Sequence, residues 1–383
     1  MIINYLLYVF ITIVVIQFIY YIIIFGRFTF SKPTNIESPN KPVSVIICSK
    51  NEEENLKNKL SFFANQNYPQ FELVLVNDRS SDNTQDVLEE FKEENSERFN
   101  YRNISVKIVN VQENEQFWGS KKYALTLGIK AASHELLLFS DADCEPISAN
   151  WIQEMTSQFS DEKTIVLGYG SYKFIKYSFL NKLIRFETMI TAIQYFSYAK
   201  IGTPYMGVGR NLAYKKSQFF AANGFANHMH LRSGDDDLFI NQIATKKNTA
   251  CCYSHNSITI SEPKTTFTDW SLQKRRHFST ASYYKFHHKL MLGLFYFSQI
   301  LFWILGITTT FLIYYTNSDQ LYLYIAFGLI AFRFLMTYVT FGLAAKKLNE
   351  KKLVLFSPIF ELFIILSQLM FYFQNLISKP KHW

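Results

Sequence analysis

The sequence predicts an α/β domain with a mostly parallel sheet, flanked by transmembrane helices. Three observations carry that expectation. Apolar runs occupy both ends of the 383 residues, β-branched runs alternate with helix-period segments between them, and polar residues collect directly after several of those runs. Hydrophobic side chains make up 49% and aromatic ones 17% of the chain, more than an ordinary soluble domain carries.

Residues 2–25, IINYLLYVFITIVVIQFIYYIIIF, hold no charged side chain and are long enough to cross a hydrocarbon core of roughly 30 Å. No basic stretch precedes the run and no small-x-small cleavage site follows it, which favours an uncleaved anchor over 1–26 against a signal peptide. Near the other end, runs at 290–315, 321–343 and 353–377 are separated by TNSDQ and KKLNEKK, and give a C-terminal membrane region over 288–378 with about three spans. Arg333 interrupts the second of these, and an arginine in lipid faces a protein interior or snorkels. Pro358 leaves the last open to a re-entrant reading.

Basic residues set the orientation. Arg27, Lys32, Lys41, Lys285, Lys289, Lys346, Lys347, Lys351 and Lys352 all stand at one set of span ends, which the positive-inside rule assigns to the cytoplasm together with 27–289. The two lysines of the tail SKPKHW vote the other way. The expectation is an integral, multi-pass protein of the cell or inner membrane with its central domain cytoplasmic. The net charge of +8 is spread over loops beside the spans, which suits an anionic membrane surface and not a nucleic acid. Cys48, Cys144, Cys251 and Cys252 lack both paired metal-ligand spacing and disulfide density, so they read as reduced thiols.

Between the membrane segments, residues 40–285 form the α/β domain. PVSVIICSK reads as a buried strand, and Leu56, Leu60 and Phe63 recur at helical spacing behind the acidic start NEEEN. The strand FELVLVND, a helix near 84–98, the strand SVKIVNV, a helix near 120–132 and the strand ELLLFSDAD follow in turn. Residues near 174–199 mix aromatic, aliphatic and basic side chains as an amphipathic helix would, lying at the membrane interface or packed under the spans.

Ligands of such sheets bind beyond the carboxyl ends of the strands, where Ser49, Lys50 and Asn51, then Asn77 and Asp78, then Asp141 and Asp143 stand here. CSKNEEEN contains no glycine, which argues against a dinucleotide site. A diphosphate without glycine-rich loops needs its charge neutralised otherwise, and Asp141 and Asp143 are a candidate pair for a hard divalent ion, Mg²⁺ or Mn²⁺. Asp235, Asp236 and Asp237 in SGDDDLF are a costly concentration of like charge that calls for a raised carboxyl pKa or a cationic partner. His228 and His230 lack further ligands in sequence to make a metal site.

SVIICSKNEEENL, LVLVNDRSSDNT, SKKYALTLGIKAA, LLLFSDADCEP, SGDDDLF and QKRRH stand in the order seen in family 2 glycosyltransferases with the GT-A fold, and residues 43–280 resemble that family. The resemblance implies an inverting transfer from a nucleotide-sugar donor, with UDP the expected nucleotide. It implies that Asn51, Glu52 and Asp78 hold the base and ribose, that Lys121 with neighbouring Lys122 approaches the diphosphate, and that Asp141 and Asp143 hold the metal. Asp236 falls on the general base that takes the acceptor proton, with Asp235 as the alternative allowed by the spacing to Leu238. Gln273 and Arg276 match the QxxRW motif, with Arg275 a second candidate for the diphosphate. His277 replaces the usual tryptophan and Asn77 a frequent aspartate.

Delivery in the bilayer plane makes a lipid or lipid-linked glycan the expected acceptor. The loss of the tryptophan platform at His277 weakens a processive polysaccharide synthase. A catalytically inactive membrane scaffold is the alternative from another class, opposed by the retained carboxylates and arginine.

Overall fold

The computed structural model describes residues 2–33, 40–112, 121–231, 233–317, 319–350 and 352–377. Ten strands are present among them: β1 (Val43–Ser49), β2 (Phe71–Asn77), β3 (Ile104–Asn110), β4 (Leu136–Asp141), β5 (Cys144–Pro146), β6 (Ile165–Leu167), β7 (Gly170–Tyr172), β8 (Leu212–Lys215), β9 (Thr249–Cys251) and β10 (Thr259–Ser261). The main sheet has the order β3-β2-β1-β4-β8-β6-β9. β1 pairs in parallel with β2 and β4, and β2 with β3, while β8 runs antiparallel to β4 and β6. A small sheet, β5-β10-β7, stands beside it.

β1 and β2 read as nearly unbroken apolar runs because they are covered on both faces, as the centre of a parallel sheet requires. Glu72 interrupts β2 only because its carboxylate accepts from Ser44 and pairs with Lys107 at 3.0 Å. The helix Lys121–Ala131 approaches the sheet so closely that a Cβ at Gly128 would lie 2.8 Å from Val76 Cγ2 and 3.1 Å from Ile46 Cγ2. That approach carries Lys121, the first residue of the helix, to the carboxyl end of β4.

Four helices, Ile2–Thr29, Phe286–Tyr315, Gln320–Lys347 and Val354–Ile377, are long and apolar enough to cross a membrane. Pro358 is the second residue of the helix Ser357–Ile377, where the missing N–H costs nothing, so the helix runs on unbroken. Arg333 is fully buried among the four helices and pairs there with Glu361. It faces the protein interior, one of the two placements its sequence position allowed.

The amphipathic stretch forms the helix Phe179–Ile201, capped by Ser178 and ended by Gly202 at φ 97°. It is buried along most of its length, packed between the domain and the membrane helices through Phe28–Phe196 and Phe186–Phe360 ring contacts at 5.1 and 5.2 Å. It therefore lies under the spans as a packed helix. The loop between the last two membrane helices docks beside it, where buried Glu350 pairs with Arg185 at 2.6 Å and accepts from the Tyr169 hydroxyl at 2.9 Å.

Gly128→Ala should lower stability by up to about 2 kcal/mol, because overpacking against Val76 at about 1–3 kcal/mol exceeds the helix-propensity gain of about 1 kcal/mol. A fall in Tm of the detergent-solubilised protein checks this.

Candidate active site

The carboxyl ends of β1, β2 and β4 open on one cleft, and the polar residues that follow each strand divide into those that shape it and those that face it. Asn51, at φ 56°, accepts from the Ser81 N–H at 2.8 Å and donates its own N–H to Ser80 Oγ at 3.0 Å, which fixes the turn after β2. Asn77 reaches Asn110 at 3.2 Å and accepts from the Ser80 N–H, a structural role for the position where an aspartate is usual. Asp78 is buried, donates its N–H to the Ser49 carbonyl and pairs with Arg79 at 2.9 Å. Burial, with Asp143 and Asp141 adding to it, pushes the Glu52 carboxyl up against the opposing Asn55 hydrogen bond, so Glu52 belongs to the same acidic field.

β4 ends at Asp141, and Asp143 follows in the turn to β5, so strand alternation does not aim the pair. The turn does: ligand atoms of Asp141, Asp143 and Cys144 all lie within 4.8 Å of one another. Burial and then Asp141 push the Asp143 carboxyl up, and Arg210 opposes them. The Cys144 thiol contacts Ser261 Oγ at 3.0 Å and Asp143 at 3.3 Å, and burial pushes it well up, which keeps it protonated. The groups here that could hold an ion include two carboxylates, a hard oxygen pair.

The Lys121 ammonium stands 2.6 Å from Asp141 Oδ1 and 3.6 Å from Asp235 Oδ2, joining two acidic clusters that lie far apart in sequence. Burial pulls its pKa down, but Asp141 and Asp235 outweigh burial and hold it well above the ordinary lysine value. Cys48, Tyr214, Gly209 and Asp236 complete the walls of this recess.

The three consecutive aspartates differ. Asp235 faces Lys121. Asp236 accepts from the Gly209 N–H at 2.6 Å and the Asp237 N–H at 2.7 Å, and burial, then Asp235 and Asp237, push it up to about 8. Asp237 is buried and accepts from Thr280 at 2.5 Å and Tyr284 at 2.7 Å, which ties the loop to the helix Phe267–Ala281. On that helix Gln273 and Arg276 lie one turn apart, and burial lowers Arg276 while Asp235 opposes, placing the guanidinium in the Asp235 field. Arg275 instead donates to Asn375 Oδ1 at 3.0 Å, fastening the helix to Ser357–Ile377. His277 is exposed.

Lys122 leaves the cleft altogether. Its fully buried ammonium donates to the carbonyls of His228, Leu231 and Ser233 at 2.7, 2.9 and 2.7 Å, pinning the loop that carries the aspartates. Arg210 was not singled out by motif. Its guanidinium stacks on Tyr172 at 4.2 Å and donates to Ser261 Oγ at 3.1 Å behind the acidic turn. The one signal for it was an arginine set among the glycines of GVGRN. Lys122→Met should strand three buried carbonyls at about 1–3 kcal/mol for each unsatisfied group, offset by relaxation of the loop. Limited proteolysis should then cut 226–236 faster than in the wild type, with the rest of the chain resistant.

Residues 44–226 match the model of glycosyl transferase family 2. A poly-beta-1,6-N-acetyl-D-glucosamine synthase of Staphylococcus epidermidis is 35% identical over 101 residues, 26% of this chain and 21% of that protein. Glycosyltransferase AglE of Haloferax volcanii is 31% identical over 134 residues, 34% of this chain and 40% of that protein. The match thus spans about a fifth of the length of the first relative. Among solved structures, the mannosyltransferase PcManGT from Pyrobaculum calidifontis, in complex with GDP-Man and Mn²⁺, superposes with a TM-score of 0.55 at 16% identity, over 91% of this chain and 99% of that one. The likeness establishes a GT-A fold for the domain whose residues 44–226 match the glycosyl transferase family 2 model.

Proposed function

We propose that this protein is a membrane-embedded inverting glycosyltransferase that moves a sugar from a nucleotide diphosphate donor, a UDP-sugar in the first instance, to a hydroxyl of a lipid or lipid-linked glycan. The observation that carries the reading is the Lys121 ammonium between Asp141 and Asp235, which brings a diphosphate-side cation, the candidate ion-holding turn and the acidic loop into one recess. Asp78, with the turn built by Asn51 and Glu52, receives the base and ribose. Asp141 and Asp143 would hold Mg²⁺ or Mn²⁺, which when bound neutralises the diphosphate and eases its departure. Lys121 and Arg276 add positive charge on the same side, and Gln273 lines the approach from the helix that Asp237 fastens.

The acceptor hydroxyl needs a base, and the two candidates, Asp236 and its alternative Asp235, stand in different surroundings. Asp236 has both oxygens engaged by backbone N–H groups, and burial with Asp235 and Asp237 beside it pushes its carboxyl up. Asp235 faces the recess with Lys121 as its partner, and we assign it the base, with Asp236 fixing the Gly209 turn. The single displacement then moves the acceptor proton to Asp235 as the hydroxyl oxygen bonds to the anomeric carbon, the bond from that carbon to the nucleoside diphosphate oxygen breaks and the diphosphate leaves with the electron pair, and the carbon is inverted.

The span-end lysines support a cytoplasmic position for the domain. Domain boundaries of 1–26, 40–285 and 288–378 accompany this reading. A processive synthase is the second reading, favoured by the name of the Staphylococcus epidermidis relative.

Purified protein in detergent with lipid extract, given UDP- and GDP-sugars and Mn²⁺ or Mg²⁺, should turn over one donor. Asp235→Asn should reduce turnover about 10³-fold with donor binding retained. Asp236→Asn, which keeps one of the two acceptors, should cost about tenfold, in line with about 1.4 kcal/mol for a lost hydrogen bond. The opposite ranking would return the base to Asp236, and product size separates single transfer from polymerisation. Asp141→Asn and Asp143→Asn should each weaken Mn²⁺ binding more than the about tenfold that loss of an outer-shell partner costs, read by paramagnetic resonance of free Mn²⁺.

A further inference from the structure

The last apolar helix, Ser357–Ile377, meets the catalytic domain at both of its ends. Near its start the Phe360 ring packs on Phe186 at 5.2 Å and the Phe363 ring on Phe179 at 5.0 Å, both on the helix Phe179–Ile201. Toward its end Phe371 lies 5.5 Å from Trp270 on the helix Phe267–Ala281. One turn on, Asn375 accepts from Arg275 Nε at 3.0 Å and donates to the Arg275 carbonyl at 2.9 Å. The other three apolar helices are joined to the domain near one end each. Phe28 packs on Phe196 at the close of the first, Asp237 holds Tyr284 just ahead of the second, and Glu350 meets Arg185 just after the third.

Asn375 stands fifteen residues beyond Phe360, about 22 Å along the helix at about 1.5 Å of rise per residue. A helix crossing a hydrocarbon core of roughly 30 Å would carry its last turn away from the side on which it began, whereas here the last turn is hydrogen-bonded to the domain again. The stripe turned away from the protein is apolar throughout: Ile359, Leu366, Met370, Phe373 and Ile377 are all exposed. Glu361, the single charged residue of the helix, turns inward to Arg333. An uninterrupted apolar stripe of this length calls for hydrocarbon against it. The two lysines of the tail SKPKHW point the same way, because a fourth crossing would part them from the other basic residues at the span ends.

We propose that Ser357–Ile377 lies along the leaflet next to the catalytic domain and does not cross it. Domain helices cover one face and lipid acyl chains the other, so the chain crosses the membrane three times and its tail emerges on the side of the domain. Combined with the sugar-transfer reading, on which this one consequence rests, the placement holds the helix that carries Gln273 and Arg276 at the bilayer surface, where an acceptor with a hydrocarbon anchor is presented.

Two measurements test the placement. In sealed vesicles captured by an antibody against the catalytic domain, a tag added after Trp383 should be lost to protease without detergent, and a tag added before Met1 should be kept until detergent is present. Retention of the tail tag, or loss of both tags, would overturn the proposal. A phospholipid with a diazirine in its acyl chain should leave adducts on Leu366, Met370 or Phe373, read by peptide mass, as well as on Phe286–Tyr315. Adducts confined to the other three apolar helices would overturn the lipid-covered face. Neither readout needs turnover, so absence of transfer with every donor would strike the sugar-transfer reading alone.

Discussion

Five aspartates converge at the carboxyl end of the central strand β4, and the rest of the site depends on how their charge is held. Asp141 and Asp143 come from the end of β4, Asp235 to Asp237 from a loop almost a hundred residues later, and like charges this close cannot all ionise without cations. The chain answers with differentiated partners. Lys121 spans the two groups, Arg210 sits behind the first, and Thr280 with Tyr284 takes up Asp237 through neutral hydrogen bonds. What these partners leave is an acidic recess with Lys121 between Asp141 and Asp235.

That arrangement needs rigid support, and much of it comes from the membrane side. Lys122 holds the aspartate loop by three carbonyls, and Asp237 joins the loop to the helix Phe267–Ala281, which Arg275 in turn fastens to the last membrane helix. Glu350 reaches from the loop between membrane helices into the domain, meeting Arg185 and Tyr169, and Tyr169 leads directly into β7, whose Ser171 carbonyl accepts from Arg210. The helices are therefore part of the framework of the cleft as well as its anchor.

The elements that periodicity alone can see were legible. β1 to β4 and the membrane helices follow from unbroken apolar runs, since burial on both faces or in lipid leaves little room for polar residues. The short strands β5 to β10, three or four residues each, carry too little pattern to be read, and their places are set by pairing with distant partners. Within the site, motif position found Lys121, Asp141 and the aspartate triplet. It put Lys121 before Lys122 and Asp236 before Asp235, but it could not foresee what surrounds each, because that turns on which carbonyls and N–H groups the folded loop offers. Arg210 and Asp237 act through residues far away in sequence, and no local spacing announces that.

The most direct test of the central claim is calorimetric titration of the purified protein with UDP and GDP, with and without Mn²⁺. A carboxylate-rich recess that receives a diphosphate through an ion should bind one of these nucleotides with Mn²⁺ and far more weakly without it. Binding of neither under any condition, by protein that is folded, would contradict a nucleotide-sugar site here.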